Sequence, residues 1–538
     1  MNKPSKSIVA AAGLILALSV ACGWAQVPAT NDTSDSAHNT GGGNGGLSKN
    51  SPGPFPNGYF NSAWGDSALG SNTSGFDNTA IGFNALQLNV SGIENTAAGV
   101  GALANNTNNQ NTAVGFQALL SNTSGGFNTA VGANALESNQ GGSRNTAAGF
   151  GALANNINDD NTAVGYNALE VDTIGTQNTA IGEEALENNN GFRNTANGVG
   201  ALGSNSSGSD NTASGFLALV SNNGKNNVGT GSFALLDNTS GSYNTATGTN
   251  ALVSNHTGNY NTATGNNALY SNAGSYNTAT GNNALYKNTG SSNTAMGFNS
   301  LFYNTTGNNN AAAGQGSLRH NTSGNGNNAL GTSALASNTS GANNIALGYG
   351  GGQNLTTGSN NIDIGNVGVA AEGNTIRVGN NTVQTATYVA GISGAGISGG
   401  TGVVVSSTGQ LGVAASAARF KRNIQPMSER SANLMKLRPV TFVYRNDPSN
   451  TRQYGLVAEE VRQVYPELVT YDGRRQLISV RYEQLIPMLL DELQKQSAQN
   501  ARLSAQLAQA NATHERELQL VQQRLMALET GQRKLAAR

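Results

Sequence analysis

Charge, aromatic rings and cysteine are all scarce in this chain. Of its 538 residues, 11% are charged and 6% aromatic, against about a quarter charged in ordinary globular domains. Most of the chain therefore cannot be a string of layered domains with large apolar cores and charged skins. Cys22 is the single cysteine, which excludes an intrachain disulfide and a thiolate metal cage; no cofactor is expected. Beyond the first 25 residues there is no apolar run of the roughly 18 residues that span a bilayer.

What the chain does have is glycine, 71 of them, mixed with Asn, Ser and Thr. That composition fits either low-complexity disorder or a repeat that buries small side chains by stacking. At the N-terminus, Lys3 and Lys6 precede the apolar run Ile8 to Ala21 and the small residues Gly23, Trp24 and Ala25. This is the pattern of a secretory signal over 1–25, cut after Ala25, which makes the expected location secreted or cell-surface. A lipoprotein anchored through Cys22 is the alternative, disfavoured because Ser19 stands where leucine is usual. Residues 26–60 read as a flexible leader.

The net charge of -1 conceals an uneven split. Residues 1–415 hold 9 Lys+Arg and 17 Asp+Glu, whereas 416–538 hold 19 and 12. Basic and acidic residues alternate in that tail without a long basic run, so a solvated surface explains it better than nucleic acid does.

Between Asn61 and Asn361 one unit recurs nineteen times: Asn-Thr-Ala-x-Gly-x-x-Ala-Leu followed by Asn, Ser, Thr and Gly. Every interval is 16 or 17 residues, and the glycine four places after the first asparagine is always present, from Gly65 to Gly365. Such registration predicts a solenoid over 61–369. Thr79-Ala80-Ile81 suits a short strand with alanine facing a narrow interior. The leucine (Leu69, Leu86, Leu103) would stack coil upon coil. The glycine either takes positive φ at a corner or admits another backbone. The threonine column Thr79, Thr96, Thr112 could offer an ice- or glycan-binding face, although a stacking ladder is the plainer reading.

This repeat resembles the head repeats of trimeric autotransporter adhesins, which carry Asn-Ser-Val-Ala-Ile-Gly at similar spacing; Asn78-Thr79-Ala80-Ile81-Gly82 is the matching stretch. The resemblance implies left-handed parallel β-rolls packed three to a fibre. That family ends in an outer-membrane barrel and this chain does not.

Past Gly365 the period breaks. Short apolar runs such as Ile376-Arg377-Val378 and Val403-Val404-Val405, between Gly-rich turns, predict a β stem over 370–415, with a hairpin turn at Ser407-Thr408-Gly409-Gln410. The run Gly394-Ala395-Gly396-Ile397-Ser398-Gly399 matches a dinucleotide fingerprint but lacks the helix and later acid of a βαβ unit, so it is set aside.

A charged segment then opens with Ser416, Lys421 and Ile424, followed by Tyr454-Gly455-Leu456-Val457-Ala458-Glu459-Glu460-Val461 and Pro466-Glu467-Leu468-Val469. These blocks resemble the endosialidase-type C-terminal intramolecular chaperone of phage tailspikes and tail fibres, over about 416–496. The resemblance implies a helical domain that assembles a homotrimer and releases itself by cutting between Ala415 and Ser416. It implies Ser416 as nucleophile and Lys421 as general base, a serine-type dyad acting once. Ala417 stands where the family often has aspartate.

That chemistry is reasonable from the residues alone, because a serine can attack the preceding carbonyl when a deprotonated lysine takes its proton. On an α-helix residues five apart would point about 140° apart, so the segment must be non-helical or Lys421 must come from another chain. Helix-cap serine and surface lysine are the plain alternative. From Glu483 to Arg538, Ile486, Leu489, Leu493, Leu503, Leu507 and Ala510 keep 3–4 spacing, and Leu518, Val521, Leu525, Leu528 and Leu535 resume it. This predicts a coiled coil over 497–538, with Asn500 and His514 as polar core positions.

The expected molecule is mostly β, a parallel β-solenoid or β-prism followed by an α-rich chaperone domain. It is a trimeric, adhesin-like fibre with a cell-surface glycan as possible partner. A glycan-degrading fibre with a permanent cap is the alternative. Glycosidase chemistry needs a placed carboxylate pair, and the only dense group is Glu183, Glu184 and Glu187.

Overall fold

The computed structural model describes residues 35–537 apart from 51–53, 55–57, 381, 393–395, 397 and 473–474. The expected signal segment, with Cys22 and Ala25, lies outside the described residues. Among those described, no helix is long and apolar enough to cross a membrane. The chain divides into two units, Met1–Gly394 and Ala395–Arg538.

In the first unit each Asn-Thr-Ala-x-Gly builds one three-residue strand, and 21 strands form a single parallel sheet. Neighbours pair like with like: Thr79 with Thr96 and Ala80 with Ala97, Thr262 with Thr278 and Ala263 with Ala279. The parallel solenoid read from the period is what forms. Strands pack about 4.8 Å apart, so these rungs span about 100 Å.

Inside, Ala80, Ala85 and Leu86 are fully buried, and the same three columns continue along the unit. Burying a leucine contributes about 1.5–3 kcal/mol, supplied here by each coil from Leu69 to Leu335. Asparagines complete the interior. Asn95 Nδ2 donates to Asn78 Oδ1 at 3.1 Å and to the Asn108 carbonyl at 2.9 Å. A second column lies eleven residues after the first asparagine, where Asn89 Nδ2 donates to Asn72 Oδ1 at 3.3 Å and to the Gly92 carbonyl at 3.0 Å. A buried amide without partners costs about 1–3 kcal/mol, so each asparagine demands its like in the next coil.

One rung departs. Asp172 holds the second asparagine column's place and is fully buried. It accepts the Gly175 N–H at 2.6 Å, Asn178 Nδ2 at 3.2 Å and Asn189 Nδ2 at 3.4 Å. Burial outweighs these donors and pushes its carboxyl up to about 7.

The glycine's two readings prove to be one. Gly248 has φ +129°, and a Cβ there would sit 2.7 Å from the Gly265 carbonyl oxygen; the corner is left-handed because the next backbone passes against it. The stacking leucines are left-handed too, Leu86 at φ 51° and Leu269 at φ 50°. Sterics cost about 1–2 kcal/mol for such a residue, which burial of the side chain offsets.

The sheet runs one rung past each end of the asparagine count. Thr40–Gly42 pairs with Ser62–Trp64, placing part of 26–60 in the solenoid rather than in a leader. The interval from Asn39 to Asn61 is 22 residues, too long to register with the period. Ile376–Val378 likewise pairs with Ile362–Ile364. At that end Asp363 replaces the inward alanine and is 1% exposed.

In the second unit Val404–Val405 pairs antiparallel with Leu411–Gly412, the hairpin expected around Gly409. Two further antiparallel pairs follow, Val440–Phe442 with Gln453–Gly455 and Val469–Tyr471 with Leu477–Val480. Helix α1 (Ala458–Val464) and the 55-residue helix α2 (Tyr482–Ala536) complete it. Its core gathers Leu434, Val461, Tyr465, Leu468, Val480, Leu485 and neighbours. Pro487 is the sixth residue of α2 and removes the backbone hydrogen bond that its N–H would otherwise give to the Glu483 carbonyl.

Candidate cleavage site

Ser416 and Lys421 flank a single 3-10 turn, Ala418–Phe420. Ala417 before it and Lys421 after it are extended, at ψ 145° and 148°. The turn closes on two backbone bonds, Phe420 N–H to the Ala417 carbonyl at 3.0 Å and Lys421 N–H to the Ala418 carbonyl at 2.9 Å. The Arg419 guanidinium lies 4.7 Å from the Phe420 ring centroid, a cation–π contact that braces it. Because the chain turns tightly and then extends, residues five apart converge instead of diverging as on an α-helix. Lys421 Nζ donates to Ser416 Oγ at 3.2 Å. The pair therefore meets within one chain.

Both residues are exposed in the single chain. Lys421 has no carboxylate at ion-pair distance among the described residues. A lysine held by a carboxylate stays charged, whereas one desolvated without a counterion loses its proton more readily. The arrangement can thus pass the serine proton to lysine once water is excluded.

A second serine–lysine pair escaped the sequence reading. Ser431 is fully buried, with its hydroxyl 2.5 Å from Asp491 Oδ2 and 2.6 Å from Glu492 Oε1. Lys495 Nζ donates to Ser431 Oγ at 2.8 Å and to the Ser428 carbonyl at 2.6 Å. The hydrogen bond and charge of Asp491, with Glu492 adding to them, hold the Lys495 ammonium above its ordinary range. This lysine is fixed as a cation, so the cluster ties the turn Ser428–Ser431 to α2 and is not a second dyad. A separation of 64 residues hides it from any local motif.

The remaining sequence candidates do not assemble into a site. Asn500 and His514 lie on exposed stretches of α2. Glu183 and Glu184 are exposed. Glu187 is half-buried, its carboxyl pushed up by burial and by the like charges of Glu184 and Glu170. These carboxylates crowd one another on the solenoid surface, where an inverting or retaining pair would need to straddle a sugar.

No curated protein matches the chain. Residues 416–470, beginning at Ser416 itself, match the family model described as the chaperone of endosialidase.

Proposed function

We propose that the chain is a secreted fibre subunit whose C-terminal unit brings three copies together and then severs itself from the solenoid between Ala415 and Ser416. The hydrogen bond from Lys421 Nζ to Ser416 Oγ at 3.2 Å carries this reading. Ser416 Oγ attacks the Ala415 carbonyl carbon while Lys421 accepts its proton. The C–N bond breaks as that nitrogen is protonated, leaving an ester between Ala415 and the Ser416 oxygen. Water hydrolyses the ester to an Ala415 carboxylate and a free Ser416. Lysine must be neutral to begin, which requires desolvation that the exposed single-chain site lacks. Cutting thus waits for neighbouring copies to cover it.

Apolar surface in both units supports assembly. Along α2, Leu489, Leu493, Leu507 and Leu525 are each more than half exposed. On the solenoid, Ile81 and Phe83, Val114 and Phe116, and Val164 and Tyr166 repeat on one face at 40–52% exposure. Contiguous exposed apolar surface of this kind marks interaction sites.

Wild-type product should have the intact mass of two pieces, the shorter starting at Ser416. Ser416→Ala should remain full length and of the same oligomeric mass by light scattering, and Lys421→Ala should cut far more slowly. A new N-terminus elsewhere, or cleavage persisting in Ser416→Ala, refutes the dyad; a stable monomer refutes the fibre.

A further inference from the structure

We infer that the edge of the solenoid carrying Tyr286, Lys287, Phe302, Tyr303, Arg319 and His320 binds an acidic glycan. Between Asp237 and Asp363 the sequence contains no Asp or Glu at all, whereas residues 61–237 contain 13 of them and 3 Lys+Arg. Within the carboxylate-free stretch the surface column directly after the buried leucine turns aromatic. Tyr270, Tyr286 and Phe302 stack with ring centroids 5.0 Å apart at each step. Phe302 meets Tyr303 edge-on at 4.6 Å, and Tyr303 stacks on His320 at 5.5 Å. Five rings in two adjacent columns thus form one continuous strip.

Cations border this strip on alternate rungs. The Lys287 N–H bonds to the Phe302 carbonyl and the Tyr303 N–H to the Arg319 carbonyl, so the two residues stand two rungs apart, about 10 Å along the backbone stack. Lys287, Arg319 and His320 are exposed, and no ion pair engages them among the described residues. Stacking alone accounts for the rings. It does not account for free cations beside them or for the loss of every carboxylate over that length.

A partner of extended, ring-bearing and intermittently anionic chemistry satisfies all three: sugar rings lie along the aromatic strip and acid groups meet the cations. Nucleic acid is the poorer fit, because a phosphate at every residue calls for a denser basic track than one Lys and one Arg. In each coil this edge follows the buried leucine, whereas the positions of Ile81 and Phe83 precede it, so the two occupy different columns of the repeat.

The test uses the intact assembled protein with hyaluronan and polygalacturonate as probes, neutral dextran and single-stranded poly(dT) as comparisons, at low and high ionic strength. Retention on an acidic polysaccharide, weakened by salt and absent on dextran, is expected. Lys287→Ala/Arg319→Ala should weaken it about tenfold, and Tyr303→Ala should weaken it without altering the melting temperature. Lys225→Ala, which removes a cation from the carboxylate-bearing half, should change nothing. Equal binding to dextran, preference for poly(dT), failure to hold either acidic polymer, or indifference to Lys287→Ala/Arg319→Ala overturns the inference. None of these outcomes depends on cleavage at Ser416, so the two readings fail separately.

Discussion

The two units handle their apolar residues in opposite ways. In the solenoid each coil closes its own interior: alanines, leucines and asparagines are wholly buried by the rungs on either side. In the C-terminal unit a small core gathers around Val461 and Leu468, while α2 leaves Leu493 and Leu507 each 64% exposed. The solenoid interior is completed by its own chain. The apolar residues of α2 are left uncovered by the single chain.

The largest effect should come from spoiling the self-contained unit. Gly132, Gly165 and Gly182 sit at φ +137°, +144° and +132°, each against the next coil's backbone. Replacing all three with valine should cost on the order of 1–3 kcal/mol per site, lowering the solenoid's melting transition and leaving that of the C-terminal unit in place. Unchanged melting would show that the coils tolerate a side chain there.

The open unit should break differently. Leu493→Asn/Leu507→Asn removes two seam residues whose burial in an assembly is worth about 1.5–3 kcal/mol each. Light scattering should show loss of the oligomer, and cleavage before Ser416 should slow. Circular dichroism of the solenoid should not change.

Acidity should separate the units again. Asp172 titrates near 7 when folded but near 4 when unfolded. Below about pH 4 it is protonated in both states and costs nothing. Between about 4 and 7 only the unfolded chain ionises, so stability falls with rising pH, by about 4 kcal/mol in all. Asp172→Asn returns the amide that the neighbouring rungs carry. Its melting should gain on the parent above pH 7 and match it near pH 3.5; equal curves throughout would refute the raised carboxyl.

The smallest effect concerns the latch on α2. Ser431→Ala should cost about 1 kcal/mol in the C-terminal transition alone, and cleavage before Ser416 should continue. Loss of cleavage would show that Ser431 does more than tie the turn to α2.

The periodic positions made the solenoid legible: alanine, glycine and leucine at fixed offsets admit few other folds. The second asparagine column was not, since Asn89 in Asn-Val-Ser-Gly reads as turn chemistry until the coil is closed and its side chain is found inside. Nor was the left-handed leucine, because propensity assigns that conformation to glycine and asparagine. Ser416 and Lys421 were singled out only by the family resemblance, and their meeting depends on a 3-10 turn that no periodicity announces. The Ser431 cluster depends on tertiary contact alone.

Length is a free variable in such a molecule. Every strand between the ends bonds only to the strand before and the strand after it, so nothing counts the total. Tyr-Asn-Thr-Ala-Thr-Gly begins three successive units, at Tyr243, Tyr260 and Tyr276, near-copies set side by side. Duplicating or deleting one such segment of the gene moves everything beyond it by a single strand spacing, about 5 Å, and disturbs no bond except the one rejoined. The distance between the two ends can thus be adjusted in small equal steps, without redesigning either of them.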